Sequence, residues 1–530
     1  MAETTSDRFD LVVLGAGTGG YAAAFRAAQL GMRVALVDED KIGGTCLHRG
    51  CIPTKALLES ADFYARVKKA SELGVTIDGG VGVDYPVIAA RRDAIVKRMW
   101  TGLRSLVKRN GVEWVQGRGR LEGPTTVRVA LAGEGGTPGA VGERVLVATD
   151  VVLATGSRVK SLPGLVPDGV RILTSDDILR RDSLPASIVI VGAGAVGVEF
   201  ASFFHDLGTQ VTVLEYLPAI VPLEDAEVSA TLEKSFTRRG IRVVTRARFD
   251  PAAIVTDAAG VRVTVSREGA EGSEAVAAEV ILVATGRAAN VEDVGLETTA
   301  AVVDRGIVVV DDHMRTAAEH LYAIGDIVGG LWLAHTAAHE GIIAAHTIAG
   351  EQVEGMDYAK QPRATYCRPE IASVGLTERQ CEERGLVVKV GRMPFQAVAK
   401  AIIGGEYEGF AKVIADAATD EVVGVHIIGP HATDLIAEAS LAELLEATAW
   451  EIGLATHPHP TNAEVLAEAA MAVAGRSINF GRPIASRSGH RGAEARRRHP
   501  RPRARCGRLE WTAAAACVPA VPSGGRQWRR

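Results

Sequence analysis

The segment "GGTCLHRGCIPTK", Gly43 to Lys55, places two thiols, Cys46 and Cys51, with four residues between them. Thiols so spaced bind a metal, exchange electrons as a pair, or sit reduced in a core, where free cysteine behaves as a small hydrophobe. A zinc-type site needs four ligands, and no second Cys/His pair stands nearby to complete one. Further along, "HPHPTNAE" sets His459 a few positions before Glu464. Imidazole titrates near neutrality and suits proton transfer. "TNAE", Thr461 to Glu464, also fits a helix capping box, and His457 reads as one more histidine in a Pro-rich turn. Two acids, Asp38 and Glu215, each end an apolar run that follows a glycine-rich turn, the position from which a carboxylate accepts hydrogen bonds from a ribose.

The elements around these acids are a repeated unit. "FDLVVLGAGTGGYAAAFRAAQLGMRVALVDED" reads as strand, glycine turn, helix and strand, with Gly15, Gly17 and Gly20 in the turn and Asp38 at the end. "SIVIVGAGAVGVEFASFFHDLGTQVTVLEY" repeats it with Gly192, Gly194, Gly197 and Glu215, every position displaced by 177 residues. Such glycines allow a tight turn and close backbone approach, so that the helix N-terminus faces a pyrophosphate. Two units with matching acids imply two bound dinucleotides. A shorter repeat, "VVLATGS" and "ILVATGR", ends two apolar strands in Ala-Thr-Gly, the second at Gly286, and "HLYAIGDIVGG" places Asp326 just past another apolar strand.

The 530 residues suggest three or four domains, and a content of 47% hydrophobic and 23% charged residues is that of an ordinary globular protein. The polar start "MAETTSDRFD" lacks a basic-then-apolar leader, and no apolar run approaches the ~20 residues of a membrane span. A cytoplasmic, membrane-free protein is expected, and six cysteines are too few for a disulfide scaffold. Net charge is −5, but residues 485–530 hold twelve arginines against two glutamates, which is +10 there and −15 before it. That segment is rich in Arg, Ala, Pro and Gly, a composition expected to be disordered. It could contact phosphates without sequence preference. Nucleic-acid binding through this tail is the reading from a different functional class, and specific recognition is not expected.

The run of motifs, from first glycine fingerprint through CxxxxC, Ala-Thr-Gly, second fingerprint, second Ala-Thr-Gly, "YAIGD" and "HPHPTNAE", resembles the flavoprotein disulfide reductases. Within them it is similar to the dihydrolipoamide dehydrogenases, over about residues 7–482. The resemblance implies an α/β fold of two Rossmann-like dinucleotide-binding domains, for FAD and NAD, plus a C-terminal α+β dimerisation domain. The expected division is FAD-binding at 1–150 and 281–350, NAD-binding at 151–280, interface at 351–482, and a basic tail at 483–530. "GFAKVIADAATDEVVGVHIIG" and the helical spacing of "TDLIAEASLAELLEAT" agree with an α+β C-terminal domain.

By the same resemblance, Cys46 and Cys51 form a redox-active disulfide, Cys46 meeting the substrate and Cys51 facing the flavin. Lys55 and Glu199 pair near the flavin, Asp326 reaches its ribityl chain, and His459 is the catalytic base oriented by Glu464. The implied reaction oxidises protein-bound dihydrolipoamide with NAD+. The implied partners are a second copy of the chain and the lipoyl domains of 2-oxoacid dehydrogenase complexes or of the glycine cleavage system. A reductase of another low-molecular-weight disulfide is the alternative. Glu215 accepts from a free 2′-hydroxyl and repels a 2′-phosphate, and "YLPAIVPLEDAE" after it holds no arginine, so NAD is expected over NADP. Departures from the family pattern are Asp38 in place of a common Glu, "GRAAN" without its usual proline, and "HRGCIPTK" for "NVGCIPSK", which sets His48 and Arg49 beside the thiols at the substrate mouth.

Overall fold

The computed structural model describes residues 7–133 and 140–480. The apolar runs become parallel strands. Asp7–Leu14 lies between Val34–Asp38 and the long strand Ala140–Leu153. Leu11, Val12 and Val13 are fully buried, as a strand covered on both faces requires. Glu113–Leu121 and Thr126–Ala132 form an antiparallel meander with the start of the long strand. Its far end pairs in parallel with Leu321–Ala323, so residues well over a hundred positions later complete this first sheet.

Between those segments stands a second, all-parallel sheet in the order Arg242–Val244, Gln210–Leu214, Ser187–Val191, Val280–Val283, Ile172–Leu173. The chain leaves and re-enters the first unit through the two Ala-Thr-Gly repeats. Just beyond them Ser157–Val159 pairs antiparallel with Arg287–Ala289. The two threonines brace this crossing: Thr155 Oγ1 donates to Asn290 O (2.8 Å) and Thr285 Oγ1 to Lys160 O (2.9 Å).

The C-terminal part is a five-stranded antiparallel sheet built from Arg363–Thr365, Ile371–Gly375, Val388–Pro394, Phe410–Asp416 and Val422–Ile428. The helices Ala432–Leu444 and Glu464–Val473 pack on it. Lys412, 0% exposed, ties this sheet to the second unit. Its ammonium lies 2.7 Å from Asp225 at the start of the helix Ala226–Arg239, and Glu227 and Glu378 complete its shell. A buried charge is tolerable only when paired in this way. Residues 1–482 make one compact unit. Among the described residues no helix is long and apolar enough to cross a membrane. The basic tail, with Cys506 and Cys517, lies outside the described residues.

Candidate active site

The two glycine turns have the same construction. Gly15 (φ +110°) and Gly192 (φ +102°) take a backbone conformation disfavoured for other residues, and a Cβ on them would lie 2.2 Å from Ala154 O and 2.4 Å from Ala284 O. The Ala-Thr-Gly repeats thus exist at the point where a neighbouring strand end presses on each fingerprint. Gly20 and Gly197 let the helix close on the turn, since a Cβ there would stand 1.8 and 2.0 Å from Gly15 O and Gly192 O. A Cβ on Gly17 or Gly194 would meet no protein atom within 4 Å. These two residues are the N-caps of the helices Thr18–Gln29 and Ala195–Asp206, and neither helix has a side-chain cap. Free first-turn N–H groups beside unfilled space fit a pyrophosphate in both units.

The acids match as well. Asp38 accepts from Ala16 N (2.6 Å) and Asp40 N (2.8 Å), and Glu215 accepts from Ala193 N (2.7 Å) and Leu217 N (2.8 Å). Burial raises the Asp38 pKa above the ordinary carboxyl value, against the pull of its backbone donors. Gly15, Asp38, Gly119, Thr155 and Asn290 line a cavity of about 300 Å³ beside the first turn. Asp326 accepts from Ser157 Oγ, which in turn receives Arg287 Nε at 2.6 Å, and Gly286 (φ +121°) forms the turn just before Arg287.

Cys46 sits in the short helix Gly44–Arg49, and Cys51 is the first residue of the helix Cys51–Val67, whose N-cap is Gly50. Both thiols are free, half-buried and close enough for each to shift the other's ionisation. The Cys46 hydrogen bond lowers the Cys51 pKa; burial opposes it and the Lys55 charge assists, leaving the value at about 7. The same bond and burial push Cys46 well up. A helix N-terminus also favours a thiolate. Lys55, one turn along the same face, donates to Glu199 Oε1 (2.8 Å) and Oε2 (2.7 Å). Burial works against its charge, but Glu199 outweighs that and the Lys55 pKa is raised.

In the C-terminal domain His459 Nδ1 lies 2.8 Å from Glu464 Oε1. Glu464 Oε2 accepts from Thr461 N (2.9 Å), while the Thr461 hydroxyl donates to Pro458 O (2.8 Å). Only half of a capping box forms, and the same carboxylate orients the histidine. Burial tends to raise Glu464, but the bonds from His459 and Thr461 prevail and hold its pKa below the ordinary value. With Nδ1 occupied, Nε2 is left for proton transfer on a side chain 72% exposed. No hydrogen bond or ion pair among the described residues joins His459 to the thiols.

His48 Nε2 lies 2.9 Å from Ile42 O, and its ring meets Trp100 edge-on. Arg49 approaches Asp40 and Asp176. Several contributors escaped the sequence reading. Arg248 stacks on Tyr216 at 3.7 Å and donates to Tyr216 O, so an arginine does stand beside Glu215, brought by the short strand Ala247–Arg248 of another sheet. Glu340, buried and thereby raised to about 7, accepts from Gly325 N and Tyr358 and fixes the turn that carries Asp326. Tyr366 reaches the Lys55–Glu199 pair. None of Arg248, Glu340 and Tyr366 adjoins a motif in the sequence, so nothing local marks them.

Two dinucleotide cradles flanking a thiol pair define the class. Residues 9–341 match the pyridine nucleotide-disulphide oxidoreductases and residues 361–470 match the dimerisation domain of that family; the chain belongs to it. Among curated relatives, a dihydrolipoyl dehydrogenase of Bacillus subtilis is 44% identical over 89% of this chain and 99% of its own length. That of Zymomonas mobilis is 40% identical over 90% and 100%. Of solved structures, LpdA from Mycobacterium tuberculosis superposes with a TM-score of 0.79 at 30% identity, covering 88% of this chain and 99% of that one. The flavoprotein disulfide reductase RclA from Escherichia coli, solved as a Cu(II) complex, shares the fold at a TM-score of 0.75 and 23% identity, with 88% and 99% coverage.

Proposed function

We propose that this chain is a dihydrolipoyl dehydrogenase that oxidises protein-bound dihydrolipoamide with NAD+ through Cys46 and Cys51. The observation that carries the reading is the contact of the two thiols, with Cys51 at a helix N-terminus, its pKa lowered to about 7, and Lys55 one turn away. FAD, held by the first glycine turn and Asp38, would supply the acceptor for the electron pair of the reduced thiols, and NAD+, held by the second turn and Glu215, the final hydride acceptor. His459, held by Glu464, takes a proton from the substrate dithiol. The resulting thiolate attacks Cys46 Sγ of the oxidised pair and expels Cys51 as a thiolate, which Lys55 stabilises. The second substrate thiol then displaces Cys46 from the mixed disulfide, its proton passing to the departing Cys46 sulfur, and the substrate leaves as the disulfide, with one proton on Cys46 and the other on His459 beside the Cys51 thiolate. Two electrons and two protons thus pass from dithiol to enzyme.

Gly15, Gly17, Gly20, Asp38 and Asp326 serve FAD, with Lys55 beside its ring system. Gly192, Gly194, Gly197, Glu215 and Gly286 serve NAD. We assign FAD-binding to 1–153 and 284–350 and NAD-binding to 154–283, a few residues from the division expected from the sequence, because the strand Ala140–Leu153 lies in the first sheet and Val280–Val283 in the second, and we assign the interface to 351–482. The chain acts as a homodimer in which His459 serves the partner subunit's thiols, and its substrates are the lipoyl domains of 2-oxoacid dehydrogenase complexes or of the glycine cleavage system. Its proposed location is the cytoplasm, where free thiols such as Cys367 and Cys381 persist. The test is steady-state NAD+ reduction by dihydrolipoamide beside glutathione and other thiol donors. Efficient turnover with dihydrolipoamide alone supports the reading, and preference for another low-molecular-weight thiol would overturn it.

A further inference from the structure

The C-terminal domain touches the Lys55–Glu199 pair through Tyr366, the residue after the strand Arg363–Thr365. The Tyr366 N–H donates to Glu199 Oε1 at 2.9 Å, and the Lys55 ammonium lies over the Tyr366 ring, 4.8 Å from its centre. The following residues are anchored to the helix that carries Glu199. Arg368 N donates to Ser202 Oγ (3.0 Å), and Arg239, paired with Asp206 at 2.6 Å, donates to Arg368 O. The backbone that carries the ring is therefore anchored to the helix bearing Glu199. One ammonium is thus held from three parts of the chain: the redox helix, the second dinucleotide unit and the C-terminal domain.

Lysine is a compact charge on a flexible stem, and an aromatic face attracts it more strongly as water is excluded. Both oxygens of the buried Glu199 hold the ammonium from one side, and the ring adds a contact on a second side of a lysine side chain 31% exposed. The ionisable groups facing Cys51 are Cys46, Lys55, Glu199 and Tyr21, and those facing Lys55 are Glu199, Cys51 and Tyr366. We propose that Tyr366 is a positioning residue that keeps the Lys55 ammonium against Cys51, so that the C-terminal domain sets the acidity of the redox thiol. The inference rests on the reading of Cys46 and Cys51 as a working dithiol.

The test uses the full flavin-loaded chain carrying Cys46→Ser, in which Cys51 titrates alone. Its ionisation is followed against pH by the rate of alkylation with iodoacetamide and by the long-wavelength absorbance of a thiolate beside flavin. Tyr366→Phe keeps the ring and should leave the midpoint in place. Tyr366→Leu should make Cys51 about threefold to tenfold less acidic, the weight of a half-desolvated cation–ring contact. Lys55→Met should raise the midpoint by itself, and Tyr366→Leu added to it should raise it no further. Flavin content and melting temperature identify a misfolded variant, for which Tyr366→Met is the substitute. An unmoved midpoint in folded Tyr366→Leu, an equal shift in Tyr366→Phe, or a shift that persists without Lys55 would overturn the proposal. Absence of any thiolate signal with Tyr366 and Lys55 intact would instead overturn the dithiol reading itself.

Discussion

Glu215→Gln tests the group proposed to select the nicotinamide cofactor. Glu215 is 7% exposed, and each of its oxygens already accepts one backbone N–H, from Ala193 at 2.7 Å and Leu217 at 2.8 Å. A carboxylate oxygen accepts twice, so the remaining lone pairs serve the ribose. Glutamine keeps the shape but turns one acceptor into a donor that faces an N–H, and it removes the charge from the ribose contact. A hydrogen bond to a charged group contributes about 1.5–3 kcal/mol. With 1.4 kcal/mol per factor of ten, NAD should bind about 10- to 100-fold more weakly. NADP should suffer less, because its 2′-phosphate loses a repulsion while Arg248 stays in place on Tyr216. The assay is titration of NADH and NADPH by fluorescence, with kcat/KM for NAD+ and NADP+ on the same preparations. Asp38→Asn, the counterpart in the first unit, should lower FAD retention and leave the NADH:NADPH preference unchanged. A Glu215→Gln chain that binds NADH as tightly as its parent would refute the reasoning, as would a parent that already prefers NADPH.

Cys46→Ser should retain FAD and oxidise NADH with artificial acceptors but lose dihydrolipoamide turnover, because neither cradle uses that sulfur; full turnover would remove the thiol from the mechanism. Mixing Cys46→Ser and His459→Ala chains should restore activity on subunit exchange, by forming heterodimers with one intact site. Mass-verified heterodimers that stay inactive would show that His459 does not serve the partner. Glu443, buried and with its Oε1 unpartnered, has a pKa raised by desolvation to about 8 from 4.5. The folded chain therefore holds a proton that the unfolded chain releases, and stability should fall as pH rises through that window. Melting curves of Glu443→Gln should lack this decline, and parallel pH dependences in the two chains would count against a neutral Glu443.

Sequence by itself determined the parts of this protein that depend on near neighbours in the chain. The glycine offsets, the acids at the strand ends, Cys51 one turn before Lys55, and His459 close to Glu464 are all settled by local geometry, because turns, helix faces and caps involve residues a few positions apart. The repeat at 177 residues exposed the second unit for the same reason, each copy being legible alone. The Ala-Thr-Gly repeats were visible but unexplained until their alanines were found against Gly15 and Gly192. Lys55 and Glu199, 144 residues apart, came together in the sequence only through family resemblance. Tyr366, Arg248, Ser157, Arg287 and the buried Lys412 are not legible at all, and neither is the contact of His48 with Ile42 O and Trp100. Only the tertiary structure decided these, because burial and Coulomb interaction depend on distance in space and not along the chain. The acidity of Cys51 is set by a helix terminus, a second thiol, an ammonium from its own helix and a carboxylate from another unit. No stretch of sequence contains that sum.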